Sequence, residues 1–334
     1  MFRMQIQSKK KCIWYCSAAV SFLLFLLLNL WCDHLVNMQD AQQMAGRWSE
    51  KKDVAQISCF FSSKAEVTED TIQSFEYSLK NVLQEASITE TSENPSARLW
   101  VDAYSADGKI TLVNGRNTLD ANAIGIGGDF FLFHPLKLIT GSYFSGNDLM
   151  QDYCIIDQDA AWQLFGSNDV VGMTVYIGNV PHIVTGVVRR PQGRMEKAAG
   201  LTSTVVYVSY ETLEAYGTNN GINHYEIVMP NPVDEFAYGK VKEGIGIDEK
   251  NVEIVENSRR YSLPNRIKTI LAFGTRSMNG KAIIYPYWEN LARGYEDIIA
   301  LLTVFMLFLL LYPVVTVIWC FVHWCRHKGW TLKD

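Results

Sequence analysis

The sequence lacks the motifs on which most catalytic chemistry rests. No Gly-x-x-x-x-Gly-Lys-Ser/Thr loop is present to cradle a phosphate. Gly125-Ile-Gly127-Gly128 has no following Lys-Ser/Thr and does not open a helix. Its glycines read as sites of close strand packing, and Gly244-Ile-Gly246 as a turn. No Gly-x-Ser-x-Gly nucleophile elbow occurs. Six histidines (34, 134, 182, 224, 323, 327) never fall at a zinc-binding spacing with cysteines or carboxylates. His134, just before Pro135, reads as a loop residue without ligand partners. Asp157 and Asp159 are not a catalytic pair; Asp157 reads as the cap of a helix from Gln158. Catalytic, cofactor and metal residues are therefore all assigned as none, and an enzyme is the least supported class.

Charge and cysteine are limited too. Charged residues are 19% of the chain and the formal net charge is −5, which argues against a nucleic-acid partner, and the short basic clusters at the ends more simply serve topology. Arg189-Arg190 and Arg259-Arg260 read as solvated pairs. Seven cysteines form no disulfide framework. Cys12, Cys16, Cys32, Cys320 and Cys325 sit in or beside the long apolar runs. Cys59 and Cys154 lie in strand-like apolar runs and read as buried free thiols, with a bridge between them unsupported.

What is abundant is apolar residues, 48% of the chain. Ile13–Trp31 and Ile298–Val322 run for nineteen and twenty-five residues without a charge. About 20 such residues cross a bilayer core. Aromatic residues flank both runs, and Pro313 interrupts the second. A cleaved signal peptide is disfavoured because no small-x-small site follows the first run, and bulky Trp31 before Cys32 argues against a lipoprotein. Arg3 and Lys9–Lys11 precede the first span; His323, Arg326, His327, Lys328 and Lys333 follow the second. The positive-inside rule then places both termini in the cytoplasm of a two-pass cell-membrane protein, with the lipid bilayer as its first partner. The division is a cytoplasmic 1–12, a first span 13–32, an external domain 33–297, a second span 298–322 and a cytoplasmic tail 323–334. Ser17, Ala18 and Ser21 offer a small-residue face on the first span for packing against another helix.

Between the spans, strands and helices alternate. Leu35, Met38, Ala41, Ala45 and Trp48 predict a helical stalk ending before Lys51-Lys52. Val54–Phe61 predicts a strand, and Thr68 caps a helix carrying Ile72, Phe75, Leu79 and Leu83 on one side. Ser92–Ser96 is a polar break with Pro95. Leu99–Tyr104 and Ile110–Val113 read as two strands joined by a hairpin at Ser105-Ala-Asp107-Gly108. Strands follow at 153–156, 174–177, 182–188, 204–208, 225–229 and 251–255. Helices are expected at 158–165, at 210–216 and from Pro232 to Lys242, with a loop at 191–200. Residues 258–281 give no clear pattern. A helix from Tyr287 to Val322 would span 36 residues, about 54 Å. The fold class is α+β rather than doubly wound.

One stretch, 121–190, carries a family resemblance. The small-residue strand Ala123–Gly128 is followed by Phe130-Phe131, by Leu138-Ile-Thr-Gly141-Ser-Tyr-Phe144 and by Asp148. Then come Ile155-Ile-Asp157, Ala160-Ala161-Trp-Gln-Leu-Phe165-Gly166, Val171-Gly172 and Thr185-Gly186-Val-Val188. In this order, between two spans, they resemble the extracytoplasmic core domain of the MacB/FtsX class of ABC transporter permeases. Gly141, Asp157, Ala161, Phe165, Gly166, Gly172 and Gly186 are the matching motif residues, with structural roles. The resemblance implies two subdomains, one inserted in the other at about 146–255. It also implies partnership with further membrane subunits and a cytoplasmic ABC ATPase. Family permeases have four spans and an ATPase-contacting loop; this sequence shows two spans, so an accessory or partial subunit is expected. A different class, an extracytoplasmic ligand sensor or protein-interaction module, is the alternative.

Overall fold

The computed structural model describes residues 2–49, 53–89, 97–276 and 280–327, with side chains from 13 to 326. The basic side chains of Arg3, Lys9–Lys11, Lys328 and Lys333, the Cys12 thiol, the stalk end at Lys51-Lys52 and the break around Pro95 lie outside the described residues. The chain divides into a helical unit (Met1–Met38, Tyr261–Phe273, Tyr295–Asp334) and a sheet unit (Gln39–Arg260, Gly274–Gly294).

Helix α1 (Phe2–Asn37) contains the first candidate span, Ile13–Asn37. The expected stalk does not run on as one helix. Gln39 and Gln43 take non-helical backbone on either side of a 3-10 turn, Asp40–Gln42, before α2 (Met44–Trp48). The buried Gln56 side chain supplies the local reason: its Oε1 accepts from Met44 N (3.0 Å) and its Nε2 donates to Ala41 O (2.7 Å). A side chain that satisfies these backbone groups replaces helical partners.

The sheet unit continues with β1 (Val54–Phe61), α3 (Glu69–Glu85), β2 (Val101–Asn114), β3 (Asn117–Gly128), α4 (Phe130–Phe133), β4 (Leu138–Gly141), β5 (Tyr153–Asp157), α5 (Gln158–Phe165), β6 (Thr174–Ile177) and β7 (Val180–Val188). Then follow α6 (Arg194–Ala198), β8 (Val205–Ser209), α7 (Tyr210–Tyr216), β9 (Thr218–Asn219), β10 (His224–Pro230), α8 (Phe236–Gly244) and β11 (Val252–Glu256). All eleven strands join one mixed sheet in the order β11-β1-β10-β2-β3-β8-β5-β7-β4, with β6 and β9 off this path. Most pairs are antiparallel; β3–β8 and β5–β7 are parallel.

The expected hairpin at 105–108 is absent. Residues 101–114 form one strand, and the chain turns at Gly115-Arg116 instead. Tertiary contacts hold Asp107-Gly108 extended. Asn223 donates to the Asp107 carboxylate (2.8 Å), and β9 pairs with Gly108. A Cβ on Gly108 would lie 2.4 Å from Thr218 O, so this glycine permits close approach rather than a turn. β10 pairs with both β1 and β2, and β11 with β1. Helix α8 begins at Phe236, four residues after Pro232, and 191–200 contains α6 rather than only loop.

One core face of the sheet carries α3, α5, α7 and α8, whose Phe75, Leu79, Ala161, Leu213 and Val241 join one buried cluster with Ile57, Tyr225 and Ile227. Thr68 caps α3 as expected. The leucine, isoleucine, valine and phenylalanine side chains each contribute about 1.5–3 kcal/mol when fully buried. The other face is aromatic, with Phe130, Phe131, Phe133, Tyr207 and Trp288. After β11 come α9 (Leu263–Leu271), in the stretch that gave no clear pattern, and α10 (Tyr287–His327), which is 41 residues long and contains Pro313. The residues Tyr287–Gly294 of α10 belong to the sheet unit, and the rest to the helical unit.

Within the helical unit α1 packs on α10. Ser17 Oγ lies 2.7 Å from Tyr312 OH, Ser21 Oγ donates to Leu309 O (2.7 Å), and Ala18 is buried. The small-residue face is thus occupied by the chain's own second candidate span.

Candidate functional site: the polar junction at the head of the last helix

Strand β10 alternates as a pleated strand must. Tyr225, Ile227 and Met229 face the core under the helices, while Val228 faces the aromatic side. His224 and Glu226 share the Val228 face, in a strand bordered by β1 and β2. His134, following the last turn of α4, joins them from the loop. All three are buried. His134 Nε2 lies 2.8 Å and His224 Nε2 3.5 Å from the Glu226 carboxylate. The ring of Trp288, on the first turn of α10, lies 4.3 Å from that of His134 and 5.3 Å from that of His224. Phe60 stacks on His224 at 5.0 Å.

From Glu226 a chain of hydrogen bonds leads to α10. Ser58 Oγ donates to Glu226 Oε1 (2.5 Å), and Asn257 Nδ2 donates to Ser58 Oγ (2.6 Å). Arg260 Nη1 donates to Asn257 Oδ1 (3.3 Å) and to Gln42 Oε1 (3.2 Å). The same guanidinium grips Glu289 with two parallel bonds of 2.7 Å, and Arg293 Nε adds a third at 2.6 Å. Arg293 also lies over the Tyr285 ring, 3.9 Å from its centroid. Glu289 is fully buried and Arg260 nearly so. The bidentate geometry makes the pair directional, and its burial means that losing one partner strands the other charge. Burial alone would raise the Glu226 carboxyl; the two facing imidazoles more than offset it and hold the group below the usual carboxylate range.

This arrangement ties the first turns of α10 to β1 and β10 through buried, hydrogen-bonded groups. Sequence reading missed it. Arg260 reads as solvated and is buried; His134 lies in a loop as it reads, but there it closes a buried cluster. Two local signals were available: His224 and Glu226 at i, i+2 in a strand share a face, and Glu289 and Arg293 at i, i+4 share a helix side.

The motif residues of the resemblance lie elsewhere. Asp157 caps α5 by accepting from Ala160 N (2.8 Å), Ala161 is buried in that helix, Phe165 ends it half-buried, and Gly166 follows with φ +72°. Arg190, expected in solvent, instead pairs with Asp157 (2.6 Å) and Asp159 (2.5 Å). Burial nevertheless raises the Asp157 pKa, against the pull of the N–H donors of Ala160 and Val205 and of Arg190. Gly141 and Gly186 pair across β4 and β7. Gly141 has φ +85°, and a Cβ there would sit 2.1 Å from Thr185 O, so only glycine fits. Gly172 donates its N–H to Val184 O (2.8 Å). None of these residues touches the junction. Cys59 and Cys154 are buried free thiols; burial pushes Cys154 up to about 12 and Cys59 higher still.

Along the chain, the mixed sheet falls between two candidate membrane helices. The family model of the MacB-like periplasmic core domain matches residues 38–254, and the chain belongs to that family. It is 31% identical over 98 residues to the macrolide export ATP-binding/permease protein MacB of Pasteurella multocida, covering 29% of this chain and 14% of that protein. It is 36% identical over 80 residues to MacB of Neisseria gonorrhoeae, covering 23% and 12%. The chain thus matches about one seventh of the length of these curated relatives. Among solved structures it is similar to the periplasmic region of MacB from Actinobacillus actinomycetemcomitans (TM-score 0.40, 19% identity, 64% of this chain and 92% of that one). It is also similar to the extracellular domain of the noncanonic ABC-type transporter YknZ from Gram-positive bacteria (TM-score 0.38, 18% identity, 60% and 99%).

Proposed function

We propose that the chain is a permease-like subunit of an ABC-type assembly, anchored in the cell membrane by α1 and α10 with both termini in the cytoplasm. Its extracytoplasmic sheet domain takes part in export or mechanotransmission, in concert with further membrane subunits and a cytoplasmic ATPase. The observation that carries this reading is helix α10, whose Glu289 is gripped by Arg260 while the same helix continues as an apolar candidate span. A helix clamped at one end by buried, directional bonds passes on displacement instead of absorbing it. Membership of the MacB-like family, and the ATP-binding/permease relatives in which related domains occur, support the ATPase partnership.

Crosslinking in native membranes, followed by mass spectrometry, tests the partnership. Capture of an ABC ATPase together with a multi-span permease is expected; capture of this chain alone, or of a sensor kinase, overturns it. Topology is tested independently at the exposed Ser203. An impermeant maleimide should label Ser203→Cys in intact cells, and labelling only after lysis would reverse the assignment.

A further inference from the structure

We propose that His134, His224 and Glu226 form a binding site for one divalent transition-metal ion of the zinc class. One ligand atom from each of the three residues lies within 4.8 Å of the other two, and all three residues are buried. His134 Nε2, His224 Nε2 and Glu226 Oε2 have no well-directed hydrogen bond, although His134 Nε2 and Glu226 Oε2 are only 2.8 Å apart. Buried polar atoms are normally satisfied, and three such ligand atoms within 4.8 Å of one another point to a shared partner. They stand out because the adjoining polar chain from Ser58 to Arg293 is bonded at each step.

The surrounding groups already orient the donors. Ser105 Oγ lies 3.4 Å from His224 Nδ1, which leaves Nε2 to face the cluster. Ser58 occupies Glu226 Oε1 and leaves Oε2 for the ion. Such partners fix tautomer and carboxylate direction around bound metals. Two imidazoles and one carboxylate suit zinc and its neighbours rather than calcium or magnesium, which require mostly oxygen ligands. His134 Nε2 and Glu226 Oε2, 2.8 Å apart, would separate slightly to the ~3.3 Å expected between ligands about 2.0–2.1 Å from a tetrahedral ion. A bound ion would tie the loop after α4 to β10 directly behind Trp288. This inference does not depend on the ATPase partnership.

The test uses the full chain in detergent, stripped with chelator and titrated with Co(II). Expected results are one equivalent bound, the visible absorption of low-symmetry Co(II), its displacement by Zn(II), and quenching of tryptophan fluorescence that is smaller in Trp288→Phe. His224→Asn and Glu226→Gln should abolish the absorption. Ser105→Ala, which keeps all three ligands, should weaken affinity about tenfold or more. If the strand variants fail to fold by circular dichroism, His134→Gln in the loop carries the same test. Wild-type protein showing only the spectrum of hydrated Co(II), or binding unchanged in His134→Gln and Glu226→Gln, would show that the cluster is an ion pair and overturn the site.

Discussion

In the helical unit Leu23, Leu27, Leu30, Phe308 and Leu311 are each more than half exposed, while in the sheet unit Ile57, Ile155, Ile156 and Leu83 are wholly enclosed. The same types of side chain thus serve two solvents. Lipid tails solvate an outward leucine, so α1 and α10 need few partners and meet through small residues and hydroxyls. Water does not, so the sheet unit packs apolar residues on both faces of its sheet. Polar groups follow the opposite rule. Where they are buried in the sheet unit, as at Arg260 and Glu289, they form dense networks.

The contrast can be broken most severely at that network. Arg260→Leu leaves Glu289 buried without its bidentate partner and should cost about 3–5 kcal/mol, whereas Arg260→Leu with Glu289→Leu should recover much of the loss. Urea unfolding followed by tryptophan fluorescence in detergent measures both; equal stability of the single and double variants would contradict the account. Next is the apolar core. Leu79→Ala on α3 should cost about 2–4 kcal/mol by the same measurement, while Leu23→Ala on the outward face of α1 should leave the transition within about 0.5 kcal/mol.

A third prediction concerns pH. Burial, then the nearby Asp102, raises the Glu76 pKa from 4.5 to about 8. The folded state therefore holds this proton more tightly than the unfolded chain. The resulting stabilisation is complete below about pH 4.5 and is lost as pH rises through about 8. Because Glu76 is only half-buried, screening limits the effect to about 1–2 kcal/mol. Unfolding midpoints should fall between pH 5 and 8 and fall less in Glu76→Gln; parallel profiles would rule out this contribution. A smaller effect than these is expected for one hydrogen bond in the helical unit. Ser21→Ala removes the bond to Leu309 O and should weaken α1–α10 packing by about 0.6 kcal/mol, read from thermal unfolding in bicelles.

Local signals were legible in the sequence. Asp157, the small apolar face and Gly166 bound α5 at the residues where it occurs, and Thr68 marks the start of α3, because caps and glycines act within one turn. Both long apolar runs lie within helices long enough to span a bilayer. What was not legible depends on distant residues. Asp107-Gly108 has the chemistry of a turn and is held as strand by Asn223 and Thr218, more than a hundred positions away. Of Arg259-Arg260, Arg259 stays at the surface beside Asp234, while Arg260 is drawn into the interior by Glu289. His134 is separated from His224 by ninety positions, so no spacing rule joins them.

The position of β10 between β1 and β2 bears on how the protein comes to be folded. β1 and β2 are made early, but neither pairs with the other; each waits for residues 224–230 to fill the gap. Until that segment has been synthesised, both strands present open hydrogen-bonding edges, the kind of surface that pairs with the wrong chain. Closure over such sequence distances is slow compared with helix formation. The sheet can therefore be completed only once residues 224–230 are available, which leaves β1 and β2 as the edges to be protected until then.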